Sequence, residues 1–192
     1  MSAETPARDE DRAVRVMTLE AFADTIVPGE KRWPDDRAVA GASPGPGAVA
    51  AGAVELLETP AAGVLPGLDE LVAMLNGHAG RHAEWAGLTP DPDVPPFVAL
   101  PFAERTALVQ ALVAPGHPEK DAWVSVALFA NMAFDTGAHL NTLEAIADGH
   151  PGIAALGLAK PGEDGLWRFS EYGYGQKLAD VHPDTTPSGS PA

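Results

Sequence analysis

Between two clusters of helix-breaking residues, Pro115-Gly116-His117-Pro118 and Gly149-His150-Pro151-Gly152, the chain carries an almost wholly apolar stretch from Ala122 to Phe134. Breakers at both ends and apolar residues on every side predict one long buried helix with no solvent face, at the centre of a helical bundle. The stretch is about 13 residues, well short of the roughly 20 that cross a bilayer, so it reads as a core helix and not as a membrane span. Its few polar groups then carry the most information. Asn131, Asp135 and His139 fall at i, i+4 and i+8, which puts an amide, a carboxylate and an imidazole in one row. In a catalytic reading Asp135 orients His139 and raises its basicity, making it a general base or a metal ligand. In a structural reading the row is a hydrogen-bonded seam between helices, the commoner use of buried polar groups.

Length and charge bound the rest. A chain of 192 residues fits one domain with a sizeable core. With 12 Lys and Arg against 27 Asp and Glu, the formal charge is −15, which argues against nucleic acid and anionic lipid as partners. The absence of cysteine excludes disulfides, thiolate metal sites and thiol catalysis. Residues 1–15 mix acids and arginines without an apolar run, so they read as a flexible arm rather than a secretory signal, and a cytoplasmic protein is expected.

The periodicity places the other helices. Thr18 is suited to cap a first helix from Leu19 to Val27, with Leu19, Phe22, Ala23 and Ile26 on one face and Pro28-Gly29 as its stop. A long Pro- and Gly-rich loop covers Glu30 to Gly47. A second helix is expected over Pro46–Glu58, its Ala and Gly residues allowing close approach of a neighbour. A third is expected from about Pro66 to Trp85 on the stripe Leu68, Leu71, Val72, Leu75 and Ala79, with Asp69 and Glu70 favoured in its first turn by the helix dipole. Thr89 to Pro101 holds five prolines around the apolar knot Phe97–Leu100, and a fourth helix follows from Phe102 to Val113. After Ile146 one short helix fits Pro151 to Leu158, and an extended aromatic arm continues through Trp167, Phe169, Tyr172 and Tyr174. No stretch alternates with period two over strand length. The fold expected is all-α: a compact bundle of about five main helices over 16–182, with a flexible tail at 183–192.

His78 and His82 stand four apart on the third helix, the spacing at which two imidazoles share a metal ion, with Asp135, His139, Glu84 or His150 as further donors. The alternative is two amphipathic rings at the border of the apolar stripe. No G-x-S-x-G elbow, S-x-x-K, G-x-G-x-x-G or Walker sequence occurs, so hydrolase and nucleotide chemistry lack support. The aromatic arm, with Trp167, Tyr172 and Tyr174, must dock on its own bundle or on a partner, because aromatic side chains dominate contact area.

Leu19-Glu20-Ala21-Phe22-Ala23-Asp24-Thr25-Ile26-Val27-Pro28-Gly29, followed by Pro46-Gly47-Ala48 and Ala51-Gly52-Ala53-Val54, resembles the opening of the gluconate 2-dehydrogenase subunit 3 family. Phe97 to Leu100, then Arg105 through Leu112, and Phe134-Asp135-Thr136-Gly137 are similar to later family segments, so the resemblance spans about residues 17 to 170. It implies a small helical accessory subunit, without a cofactor of its own, of a large FAD-dependent oxidoreductase of the glucose-methanol-choline type. The flavin chemistry would belong to that partner. The twin-arginine export signal of many members is missing here, which fits a cytoplasmic relative. Besides the accessory role, a stand-alone small-molecule enzyme or binding protein of a biosynthetic pathway, with its site near Asp135 and His139, stays open, as does a homo-oligomer.

Overall fold

The computed structural model describes residues 4–157 together with 162 and 163, with side chains from residue 9 onward. The chain divides after Gly157, and the fold is that of the unit Met1–Gly157. The aromatic arm with Trp167, Tyr172 and Tyr174, and the tail over 183–192, lie outside the described residues.

The described chain is all-α and contains no strand. Its helices are α1 (Glu4–Ile26), α2 (Ala53–Glu58), α3 (Leu68–Ala86), α4 (Pro96–Ala99), α5 (Phe102–Leu112), α6 (Lys120–Thr136), α7 (Thr142–Ala147) and α8 (Pro151–Ala155). No helix among the described residues is long and apolar enough to cross a membrane.

The core forms where the apolar stripes of α1, α3, α5 and α6 meet. Phe22 of α1 stands between Phe97 of α4 and Trp123 of α6, with ring centroids 6.3 and 6.1 Å away. Leu68 and Leu75 of α3, Leu100, and Leu112 of α5 close around them, all buried. Each such side chain withdraws apolar surface worth about 1.5–3 kcal/mol from water. A second cluster is made of small residues: Ala23, Ala48, Ala53, Ala130 and Ala133 with Leu56. It brings α1, α2 and α6 together closely, as expected from the Ala and Gly content of the second helix.

Several boundaries differ from the sequence reading, each for a physical reason. Helix α1 begins at Glu4 rather than Thr18. Its polar first half lacks an apolar stripe, but Arg12 pairs with Glu58, Arg15 pairs with Glu58 and Asp69, and Val16 and Met17 pack on the core. Thr18 is therefore a fully buried helix-interior residue, whose hydroxyl accepts from Asn76 at 3.3 Å, and not a cap. The second helix loses its first half because Gly52 adopts φ +83°, a left-handed conformation that stops any helix, so only Ala53–Glu58 remains.

Helix α6 is not wholly buried. Trp123, Val126, Ala130 and Ala133 face the core, whereas Val124 is 42% and Leu128 55% exposed on the opposite side. It also ends at Gly137, which takes the left-handed capping conformation, and the polypeptide then turns into α7 and α8.

The long loop between α1 and α2 is pinned at its base. The backbones at Gly29 and Gly47 touch so closely that a Cβ on Gly29 would run into the Gly47 amide, and one on Gly47 would reach the Val27 carbonyl at 2.5 Å. Glu30 N donates to the Gly45 carbonyl at 2.7 Å and Ala48 N to that of Val27 at 2.9 Å, on either side of the crossing. Both Pro-Gly pairs, Pro28-Gly29 and Pro46-Gly47, thus serve one joint.

Candidate functional site: the turn after α6 and its buried histidines

The expected row of Asn131, Asp135 and His139 does not assemble. Asn131 donates from Nδ2 to the Ala127 carbonyl of its own helix at 3.2 Å. Asp135 is exposed and has no hydrogen bond or ion pair among the described residues. His139 lies past Gly137, where the chain has left the helical phase, so its position at i+8 no longer projects along the row.

His139 packs instead on the turn before α2. Its Nε2 comes within 2.5 Å of the point where a Cβ on Gly52 would stand, so only glycine leaves room for the ring. Nδ1 is buried and has no hydrogen-bond partner among the described residues. A buried N–H without an acceptor is costly, which assigns the ring proton to Nε2 and leaves Nδ1 as the bare nitrogen. Burial lowers the His139 pKa below the ordinary histidine value, with Glu55 opposing and the nearby His150 adding to the drop. His139 is therefore a neutral imidazole without the orienting carboxylate that the catalytic reading required of Asp135.

His150 is buried and fully engaged. Nδ1 accepts from the Ile153 amide at 3.3 Å, capping α8, and Nε2 donates to the Ala51 carbonyl at 3.1 Å. His139 by packing on Gly52, and His150 by its bond to Ala51, thus hold the turns around α7 against the Ala51-Gly52 turn.

His78 and His82 share a face of α3 yet turn to different carboxylates. Arg81, which can only donate, reaches His78 Nδ1 at 3.0 Å, so His78 Nε2 carries the proton and donates to Glu119 at 2.8 Å. Trp123 Nε1 donates to the same Glu119 oxygen at 3.0 Å, and the two donors hold the Glu119 carboxyl below its usual pKa. His82 Nε2 meets Glu104 of α5 at 2.8 Å. The pair thereby joins α3 to the start of α6 and to α5. Among the described residues no three His, Asp or Glu side chains converge as a metal would require, and the set expected with Asp135, His139, Glu84 or His150 is not formed.

Three buried charged residues, to which the sequence reading gave no role of their own, hold the long loop in place. Arg105 is 4% exposed and donates to four carbonyls: Leu100 at 3.0 Å, Ala38 at 2.7 Å, Arg37 at 3.1 Å and Val98 at 2.5 Å. Asp24, 1% exposed, accepts from Gly29 N at 3.2 Å and Ala40 N at 2.8 Å, and burial raises its pKa against those bonds and the attraction of Arg105. Asp36 accepts from Ala38 N, Val39 N and Arg32, whose Nε is 2.7 Å away. Burial works to raise the Asp36 pKa, but these donors outweigh it and leave the carboxyl below its ordinary range. Together the three fasten the long loop to α1, α4 and α5. The available signal was Asp24 set among Phe22, Ala23 and Ile26, and Arg105 one turn before Leu108 and Val109.

Among the described residues, open clefts of about 210, 380 and 460 Å³ indent the surface, and none of these is lined by Asn131, Asp135, His139, His78 or His82. The described unit is thus an all-α domain whose buried polar side chains fasten loops and helix ends to one another. The chain belongs to a family of unknown function (DUF5987), which matches residues 13–192. No curated protein and no solved structure matches it.

Proposed function

We propose that this protein is a non-catalytic accessory subunit of a flavin-dependent oxidoreductase of the glucose-methanol-choline type, acting in the cytoplasm, with FAD held by the large partner. One observation carries the reading. Two of the segments that resemble gluconate 2-dehydrogenase subunit 3, Val27-Pro28-Gly29 and Pro46-Gly47-Ala48, meet backbone to backbone. Asp24 and Arg105, from two of the same segments, fasten the loop between them. Segments far apart in the chain that meet at one joint support the reading of a shared architecture with that family. The histidines that suggested chemistry are also engaged in joining helices. Co-expression with the candidate flavoenzyme tests the reading: its soluble yield, FAD content and activity should rise with this chain, and unchanged values overturn it.

The buried Nδ1 of His139, without a partner among the described residues, supports a second reading, a stand-alone small-molecule enzyme or binding protein with its site beside that ring. There, Asp135→Asn and His139→Gln would abolish turnover or ligand binding in a folded chain. In the accessory reading the same changes alter stability or partner affinity instead.

A further inference from the structure

Half of the ten exposed large apolar side chains of the described unit lie on its last three helices and their turns: Val124, Leu128, Leu140, Leu143 and Leu156. On α6 the outward stripe runs Asp121, Val124, Leu128, Asn131 and Asp135, at i, i+3, i+7, i+10 and i+14, the repeat with which one helix receives another. It faces directly away from Trp123, Val126, Ala130 and Ala133, so it contributes nothing to the core. The stripe is closed at both ends by carboxylates, Asp121 and Asp135, about 10 Å on either side of Leu128 at 1.5 Å per residue. Over residues 120–157 the acids are Asp121, Asp135, Glu144 and Asp148, against Lys120 as the single Lys or Arg.

We infer that the outward face of α6 is the docking surface for the partner, and that the partner presents a helix with an apolar ridge bracketed by Lys or Arg about 20 Å apart. The inference rests on the accessory reading and names the surface that reading requires. A second copy of this chain is the poorer occupant, because parallel pairing of two such faces sets Asp121 against Asp121 and Asp135 against Asp135, and antiparallel pairing leaves only Lys120 to offset the acids, in a molecule of formal charge −15. Apolar anchors inside a charged rim supply affinity at the centre and orientation at the edge.

The test uses the purified full chain and the flavoprotein with which it is co-expressed, with affinity read by biolayer interferometry. Leu128→Asp should weaken binding roughly 100-fold, as loss of a central anchor does. Asp135→Lys should weaken it less and abolish most of its salt dependence. Trp85→Ala, on the exposed end of α3, should leave it unchanged, and the melting temperature of every variant should stay at the wild-type value because the positions are exposed. Wild-type affinity in both α6 variants overturns the inference and leaves the accessory reading standing. Absence of any complex with the wild-type chain overturns the accessory reading, and the inference with it. A dimer of the free chain that dissociates on Leu128→Asp, seen by sedimentation, overturns the choice of occupant.

Discussion

Replacing Arg105 by Met is the most informative single perturbation of this fold. The methionine fills most of the volume of the arginine stem but donates nothing, so the carbonyls of Leu100, Ala38, Arg37 and Val98 lose a common donor. Asp24 loses the positive charge that offsets part of its burial. Removing one side of a buried charged network costs about 3–5 kcal/mol, because the groups left behind stay buried without partners. For a chain of this size that lowers the melting temperature by roughly 6–20 °C. Arg37→Met is the matched control: Arg37 pairs with Asp91 on the surface at 2.7 Å, and such pairs contribute about 0–1 kcal/mol. Thermal unfolding followed by circular dichroism gives the comparison, and limited proteolysis between residues 30 and 47 shows whether the loop is released first. An Arg105→Met variant that melts within the range of Arg37→Met refutes the assignment of Arg105 as the anchor of the loop.

Two further outcomes are expected. The folded-state pKa of His139 is lowered, so the unfolded chain takes up its proton first, and the stability this residue contributes is lost as pH falls through about 6.5. Denaturant midpoints measured from pH 7.5 to 5.5 should therefore fall more steeply for wild type than for His139→Gln, and equal slopes contradict this. Gly52→Ala places a methyl group against the His139 ring in a backbone region that costs L-residues about 1–2 kcal/mol before any clash. The double variant Gly52→Ala/His139→Ala should recover the clash but not the backbone cost, so additive losses in that cycle would show that the two residues do not touch.

The parts of this fold that were legible are those set by local pattern. The α3 stripe, its acidic first turn and its end near Trp85 follow from spacing alone, and the observed helix differs by a residue or two at either end. The first half of α1 was not legible, because its order comes from pairings with Glu58 and Asp69, more than 40 positions away. The same distance effect governs the site. His78 and His82 were placed correctly on one face, but their partners Glu119 and Glu104 lie 41 and 22 positions along the chain. The Asn131, Asp135 and His139 row failed at one residue: Gly137 ended the helix before His139 could join it. The solvent face of α6 escaped notice because its outward residues, Val124 and Leu128, are as apolar as the inward ones, so composition alone cannot distinguish core from contact surface.

The joint at Gly29 and Gly47 has a consequence for how this chain can change over time. Because the two segments of the joint are bonded to each other, and residues 36–40 are held by Asp24, Asp36 and Arg105, the exposed tip around Ala42 to Pro44 bears on neither. Added chain there lengthens a loop whose ends are already fixed, at a closure cost that grows only with the logarithm of length. The tip is thus the place where lineages can acquire new length, and where a tag or a grafted peptide can be carried, while the helices beneath keep their arrangement.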